Sequence, residues 1–401
     1  MDTNILDTMD MRDIGRELQQ ARIKRGLTQE DAAKIIDVAR TTITAIEKGE
    51  RRIKADELVK LAQAYGRQVS DFVRPRPQIE PFQVQFRGPI QRTPEQEAQI
   101  LPAISQLEEL ARNYLELEQI TQTPLVRRYP AEYDINGIPT NQAAENVAIE
   151  ERNRLGLGDG PIPMLRDILE QDVGLRIFYL ELPSTFSAIY LYDNQLSACI
   201  AVNRLHPEER RRWSLAHDYG HFLVHRYRPT VFIEDNYRRV PESERFADSF
   251  ALYFLMPTNG LKRRFYDIRR TKDKITPADL CTLAHFYGVS VAAMSLRLED
   301  LELLPTGTWD RLRQRGFRVR EAQRQLGLGV IPARDEKLPT RYQYLAIDAF
   351  DRALLTEGQF ARLLGVDRID ARIIAEMLRE QVGGVTDTSS IDLDMTQSLG
   401  A

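Results

Sequence analysis

Between Leu215 and His225 the chain reads LAHDYGHFLVH, with His217 and His221 four residues apart in a largely apolar run. On a helix that spacing puts both imidazoles on one face, a single turn apart. The flanking RRRWSLA and FLV predict that most of this helix is buried, where two unpaired imidazoles are costly. A shared metal ion removes that cost, provided a neighbouring element adds a third ligand. The stretch ESERFADSFALYFLMP offers one: Glu244, with Asp248 one helical turn further on. Glu244 completes a His2Glu zinc set with the fourth position open, and Asp248 is spaced to hold the far nitrogen of a ligand histidine. A lone HxxxH is a weak signal, and core histidines beside a solvated acidic helix are the bland alternative. The second motif, 23 residues past His221, favours the metal.

The rest of the chain sets the context. Its 401 residues suggest two to three domains. Hydrophobic content of 42% and charged content of 28% place it among soluble globular proteins. With 55 Lys and Arg against 59 Asp and Glu, any basic face has to be local. The acidic start MDTNILDTMDMRDIG is no secretion signal, and no apolar stretch approaches the ~20 residues of a membrane span. The expectation is a cytoplasmic protein with no membrane partner, in which Cys199 and Cys281 are reduced core thiols.

Short helical periods run through the N-terminal part. MRDIGRELQQARIKRG spaces Ile14, Leu18 and Ile23 on one face and stops at Gly26. TQEDAAKII opens with Thr28 as N-cap and Asp31 in a short-armed capping box. After a turn at Asp37-Val38, ARTTITAIEKG buries Ile43 and Ile46 and turns Arg40, Thr41 and Thr44 outward. ADELVKLAQAYG forms a fourth helix and QVSDFV begins a fifth. A helix with one apolar face and one short, polar or basic face suits the DNA major groove. Arg40 can pair with guanine, and Thr41 can hydrogen-bond or touch a thymine methyl. Gln29, Lys48, Arg51 and Arg52 are placed to meet phosphates.

The proline-rich RPRPQIEPFQVQFRGP reads as a linker, followed by a long amphipathic helix from Thr93 that suggests a spacer or dimerisation element. Helices at QAAENVAIEERNRLG and PMLRDILEQD and strands at GLRIFYLEL, FSAIYLY and SACIAVN precede the histidine helix. FSAIYLY is open to two readings, an edge strand that pairs with an extended peptide or a core strand. The remainder is helical, with a polar tail. The expected fold class is multidomain and mainly α with one α+β domain. Its parts are a five-helix bundle over 8–75, a linker and connector helix over 76–140, the α+β domain over 141–262, a helical region over 263–384 and a tail over 385–401.

Two resemblances follow from these residues. ARIKRGLTQEDAA, ARTTITAIEKGERR and LVKLAQAYG resemble the XRE, lambda-repressor-like helix-turn-helix family, which implies base reading by Arg40, Thr41 and Thr44. It also implies phosphate contact by Gln29 and the basic loop, and binding of double-stranded DNA as a homodimer. IAVNRLHPEERRRWSLAHDYGHFLVH with ESERFADSFALYFLMP resembles the ImmA/IrrE zinc metallopeptidases, known for cleaving repressor proteins under stress. That resemblance implies a zincin-like fold, Zn2+ at His217, His221 and Glu244, and a general base at position 218.

Position 218 departs from the family pattern, with Asp218 where glutamate is usual. Asp keeps the acid–base chemistry but reaches about 1.5 Å less, and a displacement near 1 Å costs on the order of 10²-fold. Two readings stand: a DNA-bound regulator that also cleaves a repressor or partner protein, or a degenerate peptidase fold acting as ligand or metal sensor of a transcription factor.

Overall fold

The computed structural model of the protein describes residues 11–67, 69, 72, 94–228, 230–233, 241–272, 274–329 and 336–383. The proline-rich linker, nearly all of the fifth bundle helix and the polar tail lie outside them. The chain divides into two compact units, Met1–Glu80 and Pro81–Ala401.

In the first unit the helical periods become α1 (Met11–Lys24), α2 (Gln29–Ile35), α3 (Arg40–Glu47) and α4 (Ala55–Tyr65). Thr28 and Asp31 close the capping box at the start of α2. Asp37 takes a left-handed φ of 57° and turns the chain into α3. Ile14, Leu18, Ile43, Ile46, Leu58 and Leu61 form the core. Gly15 permits α1 to touch the end of α3, because a Cβ there would collide with the backbone of Ile46 and Glu47. A buried ion pair ties the same two helices: Arg22 Nε donates to Glu47 Oε1 at 2.6 Å, and Arg22 also donates to the Leu27 carbonyl at 2.8 Å.

The second unit is built around a four-stranded sheet of order β1-β3-β2-β4: β1 (Arg176–Leu180), β2 (Phe186–Asp193), β3 (Ser197–Asn203) and β4 (Thr230–Ile233). β1 runs parallel to β3, and the β3-β2 and β2-β4 pairs are antiparallel. FSAIYLY therefore lies inside the sheet, paired on both sides, and β1 and β4 are the edges. Every residue of β1 and β3 is buried, which explains why both read as continuous apolar runs. Ile177, Tyr179, Tyr190, Ile200 and Val202 face a core shared with α6 (Thr140–Arg154), α8 (Glu208–Val224) and α9 (Glu242–Leu255). A short helix, α7 (Leu165–Ile168), precedes the sheet and passes into a π turn.

The opposite face of the sheet needs its own cover. α5 (Pro94–Thr121), expected as a spacer or dimerisation element, supplies it with Ile104, Leu107, Ala111 and Tyr114. Tyr114 packs edge-on against Phe178 of β1 at 6.3 Å and against Tyr342 at 5.3 Å. Glu118 at the end of α5 binds Arg176 at 2.8 Å and Arg341 at 3.1 Å. Tyr342 and Arg341 belong to α15 (Thr340–Asp351), so the C-terminal helical region packs on α5 within the same unit.

Between α9 and α15 come α10 (Thr258–Thr271), α11 (Pro277–Tyr287), α12 (Val291–Asp300), α13 (Thr308–Gln314) and α14 (Val319–Gln325). α16 (Glu357–Leu364) and α17 (Arg368–Gly383) follow α15. The α16–α17 corner repeats the α2–α3 corner: a Thr356 capping box for that of Thr28, left-handed Gly365 for Asp37, and Arg368 opening the second helix as Arg40 does. No single helix among the described residues is long and apolar enough to cross a membrane. Cys199 and Cys281 are buried and unpaired.

Candidate metal centre and DNA-contact face

The candidate metal centre lies where α8 crosses α9. Gly220, between the two histidines, makes the crossing close, because a Cβ there would meet the Phe250 ring at 3.0 Å and Ala247 Cα at 3.3 Å. That approach brings Glu244, in the first turn of α9, up to the histidine pair. His217 Nε2 lies 3.2 Å from Glu244 Oε2, His221 Nε2 lies 3.4 Å from Glu244 Oε1, and the two Nε2 atoms are 3.1 Å apart. Metal–ligand bonds of about 2.0–2.2 Å at tetrahedral angles put ligand atoms roughly 3.3–3.6 Å apart. One ligand atom from each of the three side chains lies within 4.8 Å of the others, so the set could hold a zinc ion. Both histidines are buried, and Glu244 is partly exposed.

Asp248 Oδ1 sits 2.9 Å from His217 Nδ1, which leaves Nε2 aimed at the ligand position. The metal-free electrostatics match this geometry. Burial opposes charging of His217, but its hydrogen bonds to the Asp248 and Glu244 carboxylates outweigh it and raise its pKa to about 9. His221 is lowered by burial. Burial acts to raise Glu244, but the two imidazoles hold it well below the usual carboxylate range. A proton shared among three donors is what a metal ion displaces.

Asp218 is fully buried, and neither carboxylate oxygen has a hydrogen-bond partner among the described residues. Burial pushes its pKa up to about 7, with Glu244 adding to the rise and His217 opposing it. His225 is the C-cap of α8, its N–H donating to the His221 carbonyl at 2.7 Å, and it lies outside the ligand group. Behind the centre Tyr219 donates to buried Glu151, which also accepts from Tyr133 at 2.8 Å and from Arg154 at 2.7 Å. This network and Gly220 are the supporting parts that motif reading missed; a glycine inside a helical pattern was the only visible signal.

On the first unit, Arg40 and Thr41 are exposed in the first turn of α3, and Lys48 and Arg52 are exposed beyond its end. Gln29, Thr44 and Arg51 of the expected contact set bond to side chains within the fold. Gln29 Nε2 donates to Glu47 Oε2 at 2.9 Å, and half-buried Thr44 donates to Gln29 Oε1 at 3.2 Å. Arg51 makes a two-pronged pair with Glu57, at 2.8 and 3.0 Å. Gln29 and Thr44 thus join α2 to α3 and set the pitch of the exposed face, while Arg51 anchors the following loop to α4.

A helical unit with an exposed polar second helix, joined to an α+β unit with a His2Glu centre, defines a helix-turn-helix protein with a metallopeptidase-like domain. Residues 18–72 match the helix-turn-helix family model, and residues 170–299 match that of the IrrE N-terminal-like domain. The chain is thus a fusion of an XRE-type helix-turn-helix domain with an ImmA/IrrE-type domain of the M78 metallopeptidase family. No curated protein matches it. Among solved structures it is similar to Bacillus thuringiensis PlcR in complex with the peptide PapR7 and DNA, at 11% identity over 94% of this chain and 98% of that one, with a TM-score of 0.17. ComR from Streptococcus suis is similar at 10% identity over 93% of this chain and 92% of that one, with a TM-score of 0.16.

Proposed function

We propose that this protein is a sequence-specific, cytoplasmic transcriptional regulator that binds operator DNA as a homodimer and holds zinc at His217, His221 and Glu244. The observation that supports the metal assignment is the convergence of two imidazoles and a carboxylate from two helices, with the Nε2 atoms 3.1 Å apart and one Glu244 oxygen 3.2 Å from His217, the other 3.4 Å from His221. Base reading falls to exposed Arg40 and Thr41, supported by Thr44 and Gln29 behind them, with Lys48 and Arg52 on phosphate. Arg40→Ala is expected to abolish preference for the operator over unrelated duplexes in a competition assay. Retained preference rejects the assignment.

The chemistry proposed for the centre is slow endoproteolysis of a repressor or partner protein under stress. Held by His217, His221 and Glu244, zinc would supply Lewis acidity at this site. Asp248 holds the His217 ring, and Asp218 takes and returns a proton. Its short side chain limits that exchange. The sealed, unpartnered carboxylate of Asp218 favours the second reading, a peptidase fold kept as a metal or ligand sensor. Incubating wild type, Asp218→Glu and Asp218→Ala with zinc and candidate repressors separates the two. Cleavage by wild type that rises in Asp218→Glu and vanishes in Asp218→Ala supports proteolysis; no cleavage by either carboxylate form leaves the sensor.

A further inference from the structure

The charges of this chain nearly cancel, yet they are unevenly spread. Residues 258–329 carry fourteen Lys and Arg against eight Asp and Glu, in a chain whose net charge is −4. Three of those eight carboxylates serve the fold. Asp279 caps α11 and receives Lys272 Nζ at 2.6 Å. Glu299 accepts the backbone N–H groups of Gly307 and Trp309 at 2.7 and 3.0 Å, and Asp300 accepts from buried Arg297 at 2.5 Å.

The positive surplus gathers on α13, α14 and the turn between them. Arg313, Arg315, Arg318, Arg320 and Arg324 are all exposed, and none meets a carboxylate among the described residues. The apolar residues of the same segment, including Leu312, Phe317, Val319 and Leu328, pack inward on the main core. The arginines thus ride on an anchored platform. α14 packs on α11, and α11 also borders α10, where five cations from Lys262 to Arg270 answer a single acid, Asp267.

We infer that the α13–α14 face binds the phosphate backbone of duplex DNA, giving the second unit a sequence-independent contact of its own. Guanidinium groups match phosphate geometry, and clustered like charges on a surface are relieved by a polyanion. A membrane-surface helix turns an apolar face outward to lipid, whereas here the apolar face is turned into the core. The choice of DNA among polyanions rests on the proposed DNA binding by the helix-turn-helix domain. Once that domain is on an operator, the flanking duplex is at high effective concentration for this face.

The test uses the full chain with Arg313, Arg315, Arg318 and Arg320 all changed to Glu, and a second variant with the same four changed to Gln. Affinity for operator and unrelated duplexes is measured across a salt series, and thermal melting reports folding. The inference expects the slope of log K against log salt to shrink by up to about 3.6 in the Gln variant, about 0.9 per lost contact. The loss is equal on both duplexes and larger in the Glu variant. Unchanged slope and affinity in a Gln variant that melts as wild type does overturn it. So does loss of binding to anionic phospholipid vesicles with DNA binding intact. Arg40→Ala, run in parallel, loses sequence preference and keeps the wild-type platform. Failure of that control sinks the base-reading assignment alone, since the slope on unrelated DNA does not depend on it.

Discussion

At the residue scale, the centre is three donors and one orienting carboxylate. The donors were legible because their chemistry forces their spacing: two imidazoles four apart share a helix face, and a buried pair needs a partner. Asp248 was legible by the same one-turn logic, and its 2.9 Å approach to His217 predicts a measurable role. Asp248→Asn should weaken zinc binding about 10- to 100-fold, read by competition with a chromogenic chelator, while the three ligands stay in place. Affinity equal to wild type would deny Asp248 that role. Gly220 was not legible as part of the site. Its importance lies in the distance to Phe250 and Ala247 on another helix, and no local pattern encodes that distance.

At the scale of elements, the helices and strands followed their apolar periods, but what each packs against did not. α5 reads as a spacer or dimerisation element because its stripe is amphipathic, and the sequence does not say that the stripe packs on the second face of the sheet. Likewise FSAIYLY reads as an edge or a core strand until β4 pairs with it. The α16–α17 corner is not legible in the sequence because its shared features are a cap, a left-handed turn and a leading arginine, with different side chains outside. Glu357 stands where Gln29 does and pairs with Arg372 at 2.7 Å, and Ile369 is 70% exposed, so its outer face is unlike that of α3. The α8–α9 crossing gives an element-scale prediction. Gly220→Val should destabilise the second unit by about 1–3 kcal/mol through overpacking. It should also lower zinc affinity, since Glu244 moves with α9. Denaturant melts and the chelator assay check both, and an unchanged midpoint with unchanged affinity contradicts the packing argument.

At the scale of the whole molecule, two compact units carry different work, and the second buries charge deeply. Glu170, beside Arg166 at 3.7 Å, is fully buried, and burial raises its pKa to about 8. The folded state therefore holds a proton that the unfolded chain releases above its ordinary pKa of about 4.3. Folding loses stability from Glu170 as pH rises from about 4.3 to about 8, and the penalty then levels off. Glu170→Gln should flatten that part of the stability–pH profile in denaturant unfolding at pH 5 and pH 8, and an equal slope in both proteins contradicts it. The central claim joins a DNA-reading unit to an assembled metal site, and zinc content tests it most directly. Purified wild-type protein should carry about one zinc per chain, and the His217→Ala/His221→Ala variant essentially none, with its melting of the first unit unchanged. Equal, near-zero zinc in both, after purification without chelators and with zinc supplied, contradicts the account.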